Sequence, residues 1–259
     1  MPFAELPGDL RMHYEDDDFS DPWKTPETVV FHHGQAKSGR LWYAWVPLLA
    51  GEYRVIRVDG RGFGRSKAPA PGCKWSLEGF AEDVVHLMDY LGIDKAHLIG
   101  DTIGGSISLV LAHDYPGRVR TVTTCTSPFR FRGDPAYGQY YDMVKEGGVA
   151  AWVGVNNTLD DPDHTRWYRE EMSKTNQRVV LETLAALQDV DLTDMLKEIK
   201  TPALVVTGES ASAWEAGRAR AMAELLPSGR LALAPGAGRA HHSNPAVVAA
   251  LWREFVKSV

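Results

Sequence analysis

Short, β-branched runs alternate with helical patterns along most of this 259-residue chain, and this alternation most constrains the fold. The runs read TVVFHHG, YRVIRV, KAHLIG, VRTVTTC, PALVVTG and GRLALAPG. Between two of them, Phe80, Val84 and Leu87 fall on one helical stripe that follows Ser76, a residue type suited to capping a helix. Strands this short and apolar are typical of a mostly parallel sheet buried on both faces. We therefore predict an α/β fold with helices on both faces of a central sheet.

The segment from 129 to 200 breaks this alternation, because it is helical and contains no strand run. We interpret it as a helical cap inserted into a core made of residues 1–128 and 201–259. The aromatic residues Trp152 and Trp167 are candidates to line a substrate pocket beneath the cap. The alternative is that each packs within the insertion.

Composition limits the possible partners and the compartment. The net charge is −6 without a basic stripe, which argues against nucleic acid. Two cysteines make no disulfide framework, and no run reaches 18 apolar residues. The first residues lack the apolar core of a secretory signal. We expect a cytoplasmic protein with a small-molecule substrate and no membrane partner, and a homodimer is left open.

Five motifs occur in an order that resembles the α/β-hydrolase superfamily over nearly the whole chain. They read FHHGQAKSGRLW, RVIRVDGRGFGRS, IGDTIGGS, IKTPALVVTGES and LAPGAGRAHHSNP. The third has the spacing of the strand–turn–helix elbow that presents a nucleophilic serine. The insertion resembles the small caps of the enol-lactonase and ring-cleavage hydrolase branch. The resemblance implies an α/β-hydrolase fold with an inserted helical cap.

The resemblance also assigns the three positions of a catalytic triad, and each holds an unexpected residue. Thr102 stands at the nucleophile position, Ala211 at the acid position and Arg239 at the base position. An elbow residue normally adopts a positive φ, which is costly for a β-branched side chain. We therefore expect a degenerate triad in which Thr102 lines the pocket and hydrogen-bonds a substrate rather than attacking it.

His241 and His242 follow the base position and are candidates for the missing base. The alternative is that both are solvated loop histidines. We predict that no carboxylate lies within hydrogen-bond reach of either one in a triad-like geometry with Thr102, because Ala211 and the acid-free TTCTSP segment leave none at the expected places. Asp101, which precedes the elbow residue, is a candidate catalytic carboxylate if it faces the pocket. Its alternative role is a structural hydrogen bond.

The parts that would bind an oxyanion remain plausible in the sequence. Gln35 follows the His-Gly pair and Ile103 follows the elbow residue, so their backbone N–H groups could converge on one oxygen. His33 is expected to brace this loop. Arg239 could clamp a substrate carboxylate or lie at the surface.

No metal or cofactor is expected. The glycines near the elbow do not follow the dinucleotide-binding spacing, and no P-loop lysine follows them. His32, His33, His241 and His242 could converge in space. However, adjacent histidines chelate poorly, and the sequence suggests no carboxylate to complete a set.

These observations leave three functions. The leading one is a non-hydrolytic enzyme that moves protons on a carbonyl compound, by isomerisation or epimerisation, elimination, decarboxylation or cyclisation, on an intermediate that could be biosynthetic. The second is an ester or lactone hydrolase that uses Thr102, or a water, with His241 or His242. The third is a binding protein that keeps the pocket without turnover.

Overall fold

The computed structural model describes residues 2–156, 159–236 and 238–259. The strands of the described residues are β1 (Phe3–Leu6), β2 (Leu10–Asp17), β3 (Thr28–His32), β4 (Arg54–Val58), β5 (Ala96–Asp101), β6 (Val119–Cys125), β7 (Ala203–Gly208) and β8 (Gly229–Ala234). They form one sheet in the order β1-β2-β4-β3-β5-β6-β7-β8. The β1/β2 and β2/β4 pairs are antiparallel, and the other neighbours are parallel. The predicted α/β fold with a mostly parallel sheet is therefore confirmed.

Ten α-helices connect and cover these strands within the described residues. They are α1 (Val46–Leu49), α2 (Leu77–Tyr90), α3 (Ile103–Asp114), α4 (Pro135–Asn156), α5 (Pro162–Ser173), α6 (Gln177–Leu187), α7 (Thr193–Leu196), α8 (Ala213–Leu225), α9 (Ala240–Ser243) and α10 (Pro245–Val256). The Ser76 hydroxyl accepts a 3.0 Å hydrogen bond from the Gly79 N–H and caps α2, as predicted. None of these helices is both long enough and apolar enough to span a bilayer.

The sheet separates two apolar clusters, because successive side chains of a strand point to opposite faces. In β3, Val29 and Phe31 belong to one cluster and Val30 to the other. The first cluster includes Trp252 of α10, and the second packs beneath α2, α3 and α8. Both faces of the sheet are therefore buried.

The sheet order gathers the carboxyl ends of β3, β5 and β6 at one edge, because these parallel strands are neighbours there. Ligands of open α/β sheets bind outside this edge. Helices α4 to α7 all lie between β6 and β7 in the chain, within the segment from 129 to 200. The division into a core and a cap domain stays a prediction.

Candidate active site

Thr102 forms the tip of the turn between β5 and α3. Its φ of 47° and ψ of −117° put a β-branched residue in the left-handed half of conformational space. The Thr102 N–H donates to the carbonyl of Cys125 at 2.9 Å, and its own carbonyl accepts from the Gly105 N–H at 3.0 Å. Such a conformation costs on the order of 1–3 kcal/mol and persists only where the surrounding structure imposes it, often at functional sites.

Two glycines make this turn possible, because backbone packs directly against backbone there. A Cβ added at Gly100 would lie 2.3 Å from the carbonyl of Gly104, and one at Gly104 would lie 2.3 Å from the carbonyl oxygen of His32. No side chain fits either space. The start of α3 is therefore pressed against β5 and against the end of β3.

The same packing brings the elbow beside the loop that follows β3. A Cβ added at Gly34 would lie 2.1 Å from Oγ1 of Thr102 and 3.0 Å from Oδ2 of Asp101. The threonine hydroxyl therefore points at the loop backbone. Gln35, the next residue of this loop, is buried.

The two backbone N–H groups predicted to bind an oxyanion both belong to residues that line one cavity, Gln35 and Ile103. Ile103 is the first residue of α3, so its N–H has no acceptor inside the helix. Among the described residues, no acceptor is recorded for either N–H. The Gln35 side chain donates to Oγ1 of Thr183 at 2.5 Å, which ties the loop to α6.

His33 braces this loop and does not line the cavity. Its Nε2 accepts from the Gly60 N–H at 2.8 Å, so the ring proton resides on Nδ1, which donates to the Gly34 carbonyl at 2.8 Å. Burial lowers the pKa of His33 and keeps the ring neutral. His32 likewise bonds the His33 carbonyl, so these two imidazoles do not join His241 and His242 in one ligand set.

The cavity above Thr102 has a volume of about 320 Å³. Thr102 and Ile103 lie at its floor, and Trp152 of α4 contributes to its upper wall. Five aromatic residues and five charged residues contribute to its wall. The aromatic residues are Phe131, Tyr137, Tyr140, Trp152 and Trp214, and the charged residues are Lys37, Asp134, Glu215, Arg218 and Arg239.

Trp167, a candidate substrate contact, packs against residues that do not line this cavity. Its ring packs against Tyr43 with 5.1 Å between centroids, and the Arg40 guanidinium lies 5.7 Å from it. Trp167 is absent from the cavity wall. Trp152 lies on α4 and Trp167 on α5, both in the segment from 129 to 200. Only the tertiary packing decides which of the two reaches the cavity.

Asp101 is the centre of a buried polar cluster directly beneath the elbow. Its side chain is fully buried, and its Oδ2 accepts from the Lys37 ammonium and from Nε2 of His242, the latter at 3.2 Å. Nε2 of His241 lies 3.1 Å from Oδ1, out of line for a full hydrogen bond. A carboxylate therefore reaches both histidines, but among the described residues neither ring bonds the Thr102 hydroxyl, in agreement with the prediction that no triad-like chain leads to Thr102. The carboxylate comes from the residue beside the elbow rather than from Ala211.

The charges of this cluster follow from burial and mutual contact. Burial by itself would raise the pKa of Asp101, but Lys37 and the two imidazoles outweigh it and hold that pKa well below its usual range. Burial lowers the pKa of His241 and His242, so both rings are neutral near pH 7. Because an ionised carboxylate only accepts, His242 presents a protonated Nε2 to Asp101.

The base candidates are consequently not arranged as bases for Thr102. Both histidines are buried, at 1% and 4% exposure, so they are not solvated loop residues. Their Nε2 atoms face Asp101, and neither ring is part of the cavity wall. Ring contacts with Trp42 hold them in this orientation.

Lys37 is a site residue that the sequence reasoning missed. It lies three positions after Gly34 in FHHGQAKS, is 4% exposed, and lines the cavity. Burial lowers its pKa to about 8, against the opposing attraction of Asp101. The signal in the sequence was a lysine between Ala36 and Ser38, inside the motif that resembles the oxyanion loop of the family.

Arg239 and Arg218 form the cationic side of the cavity. Arg239 is half-buried and lines the cavity, so it does not lie at the surface. This position agrees with the predicted clamp for a substrate carboxylate. Arg218 bonds Asp134 at 3.2 Å and the carbonyl of Thr126 at 3.2 Å. Ala211 donates its N–H to the carbonyl of Gly208 and has no group that could orient an imidazole.

The cluster also meets the spacing of a metal site, contrary to the expectation that no carboxylate completes a histidine set. One donor atom from each of Asp101, His241 and His242 lies within 4.8 Å of the others. The Lys37 ammonium, however, bonds the same carboxylate and supplies the positive charge that a metal would bring. We therefore derive no step through a metal here.

A sheet of this order, a helical segment between β6 and β7, and a strained residue on the turn after β5 define an α/β-hydrolase fold. The chain belongs to this family, since the model of the α/β hydrolase fold matches residues 27–221. It is 28% identical over 231 residues to "Putative carbamate hydrolase RutD" of Caulobacter sp. (strain K31), covering 84% of this chain and 85% of that protein. It is 25% identical over 197 residues to 3-oxoadipate enol-lactonase 1 of Acinetobacter baylyi, covering 70% of each.

The enol-lactonase of Burkholderia xenovorans LB400 has a similar structure. The TM-score is 0.89 at 23% identity, over 99% of this chain and 100% of that one. This likeness agrees with the predicted resemblance to the enol-lactonase branch. The relatives are named as hydrolases, which supports an enzyme and favours hydrolysis over the non-hydrolytic chemistry that the sequence suggested first.

Proposed function

We propose that this enzyme hydrolyses a small ester or lactone by acyl transfer through Thr102. The observation that carries the proposal is the strained conformation of Thr102, whose hydroxyl faces Gly34 on the floor of the capped cavity. A residue held at such a cost beside two N–H groups without recorded acceptors matches the needs of acyl transfer. The relatives named as an enol-lactonase and a carbamate hydrolase point to the same class of carbonyl substrate.

In the proposed reaction, the Thr102 oxygen attacks the substrate carbonyl carbon, and its proton passes through a base to the departing alcohol. The carbonyl oxygen becomes an oxyanion, which the N–H groups of Gln35 and Ile103 stabilise. Collapse expels the alcohol and leaves an acyl-threonine. Water then attacks the acyl group, and the second collapse releases the carboxylic acid and restores the hydroxyl.

A second candidate is proton transfer on an enolisable carbonyl compound. It is favoured by the orientation of His241 and His242, which face Asp101 and leave Thr102 without the histidine base of a triad. An enolate would use the same two N–H groups and would need no acyl-enzyme. In that case Thr102 contributes at most a hydrogen bond to the substrate.

Quenched turnover of p-nitrophenyl acetate separates the two candidates. We expect mass spectrometry to find an acetyl group on Thr102, and Thr102→Ser to keep the adduct, because it keeps the hydroxyl. Thr102→Ala should lose at least about a hundredfold in rate and retain only the slow turnover of about 10³–10⁴ over water that an oxyanion site gives without its nucleophile. An alanine variant that loses about tenfold or less, without any adduct in the parent protein, would contradict acyl transfer and support the enolate candidate.

A further inference from the structure

Lys37 combines two features that are rarely found together, a buried ammonium and access to the substrate cavity. Its side chain is 3% exposed, and its Nζ bonds Oδ2 of Asp101. Lys37 nevertheless lines the same cavity as Thr102. A lysine that served only as a counter-ion for Asp101 would not need to reach that cavity.

The packing at Gly34 places the threonine hydroxyl and this ion pair side by side. Two side-chain oxygens lie beside Gly34. A Cβ added at Gly34 would be 2.1 Å from Oγ1 of Thr102 and 3.0 Å from Oδ2 of Asp101. Nζ of Lys37 bonds that same Oδ2. Lys37 is also only three residues from Gly34 along one short loop. Its amine therefore bonds the carboxylate that lies beside the Thr102 hydroxyl, and it lines the same cavity.

We propose that Lys37 is the general base and acid for Thr102, so that the site works as a threonine–lysine pair in place of a histidine-based triad. This inference rests on the proposed acyl transfer and names the group that moves its protons. Lysine serves hydroxyl nucleophiles in this way in other folds, where a desolvated amine takes the place of histidine.

The protons balance over the two half-reactions. The neutral Lys37 amine accepts the hydroxyl proton as the Thr102 oxygen attacks, and the resulting ammonium gives that proton to the departing alkoxide. In the second half, the amine accepts a proton from the attacking water. The ammonium then returns it to the Thr102 oxygen as the acid leaves. A neutral amine has one lone pair for the hydroxyl and can still donate an N–H to Asp101.

The groups around Lys37 determine the pH at which it can act. Burial lowers its pKa to about 8, Asp101 on β5 raises it, and Arg239 lowers it again. Cys125 on β6, whose own pKa is raised well above its usual range by burial, also contributes. The Tyr168 ring on α5 lies 5.4 Å from Nζ, and His241 and His242 of α9 meet the same carboxylate. Lys37 is therefore partly neutral at pH 7 and mostly neutral above pH 8.

The test measures the rate of Thr102 acetylation by p-nitrophenyl acetate from pH 6 to pH 10. We expect the rate of the parent protein to rise with pH and to level off above about pH 8, as Lys37 loses its proton. Lys37→Arg keeps the charge beside Asp101 but cannot deprotonate in this range, so the rate at pH 8 should fall by about 10²–10⁴-fold and the rise near pH 8 should vanish. Lys174→Arg is the matched control, because Lys174 lies exposed beside Glu171, and it should change neither rate nor profile.

Lys37→Arg could fail to fold, because the longer side chain has to fit a closed space. The double variant Lys37→Met/Asp101→Asn removes both charges together, and its folding is followed by circular dichroism. It should show the same loss of rate and the same flat profile. A folded variant of either kind that keeps the rate within about twofold and keeps the rise near pH 8 would overturn the role of Lys37. If the parent protein gains no acetyl group on Thr102, the proposed acyl transfer itself fails.

Discussion

At the residue scale, Thr102, Asp101 and Lys37 decide what this site can do. Thr102 keeps a hydroxyl at the elbow in a conformation that disfavours its branched side chain. Asp101 points its carboxylate below the turn, where Lys37 and the two histidines satisfy it. The polar network of this site thus lies beneath the nucleophile position. The triad of the family would instead place its base at Arg239 and its acid at Ala211.

The strain at Thr102 predicts that its removal stabilises the fold. Thr102→Gly should raise the free energy of unfolding by about 1 kcal/mol, because glycine accepts a positive φ and the relief exceeds its added chain entropy. Thr123→Gly is the matched control. It removes a threonine that is fully buried in β6. No backbone strain is relieved there, so the substitution should lower the free energy of unfolding by about 2 kcal/mol.

Urea unfolding of both variants measures these changes. Equal destabilisation by the two substitutions would show that the elbow stores no strain. The glycine variant at 102 should also lose acylation, so gain of stability and loss of activity are expected together.

At the element scale, the close approach of β5, β3 and α3 creates the site. The absence of side chains at Gly100 and Gly104 lets the start of α3 lie against the backbone of the strands. This contact sets the Gln35 loop beside the elbow, and the Gln35 amide then ties the loop to α6. One backbone contact therefore connects the sheet, the loop that would hold an oxyanion and the roof of the cavity.

We predict that Gly104→Ala damages both stability and activity. Its Cβ would lie 2.3 Å from the His32 carbonyl oxygen and 2.6 Å from the His33 carbonyl oxygen, and backbone at that distance has to move. The cost should be about 1–3 kcal/mol of unfolding free energy. Gly154→Ala in α4 is the control, because nothing lies within 4 Å of the added Cβ, and it should stabilise the helix by up to about 1 kcal/mol.

Thermal unfolding and the acetylation rate report the outcome for both alanine variants. Equal effects of the two substitutions would contradict the close approach of α3 to the strands. A Gly104→Ala protein with full acetylation rate would show that the elbow position does not depend on this contact.

At the scale of the whole molecule, buried histidines make the fold sensitive to acid. Five of them have pKa values that burial lowers below the ordinary value of 6.5, and for His32 the pKa falls to about 3. Each binds a proton more readily in the unfolded chain than in the folded one. The five residues are His32, His33, His97, His241 and His242.

The sign of the pH dependence follows directly. Because the folded pKa values are depressed, the stabilisation is complete above about pH 6.5 and is lost as the pH falls. Each such histidine steepens the loss by up to about 1.4 kcal/mol per pH unit. His32→Gln should therefore make the free energy of unfolding fall less steeply between about pH 6 and pH 4.

His113→Gln is the control for this measurement. A hydrogen bond with Asp114 raises the pKa of His113, so its removal should not reduce the acid sensitivity. Urea titrations at several pH values give the slopes. An unchanged slope in His32→Gln would contradict a neutral, buried His32.

The sequence by itself determined the fold, the place of the elbow and the residues that lie on its turn. These depend on local signals, namely apolar runs of strand length, glycines where backbone must meet backbone, and a helical segment between two strands. The motifs also predicted that the N–H groups of Gln35 and Ile103 could converge, because Gln35 follows the His-Gly pair and Ile103 follows the elbow residue. Sequence reasoning likewise found Trp152 and Arg239 as residues that line the cavity.

Only the tertiary structure decided which polar side chains meet. Along the chain, Lys37 lies 64 positions from Asp101 and His242 lies 141 positions from it. Their contacts depend on the direction of the Asp101 side chain at the end of β5 and on the position of the short helix α9. Counting along the chain looked for the acid at Ala211, and although Asp101 was a candidate carboxylate, its contacts with Lys37 and the two histidines were not predicted. The charge states were equally hidden, because a pKa depends on burial and on neighbours in space, and neither can be read from residue spacing.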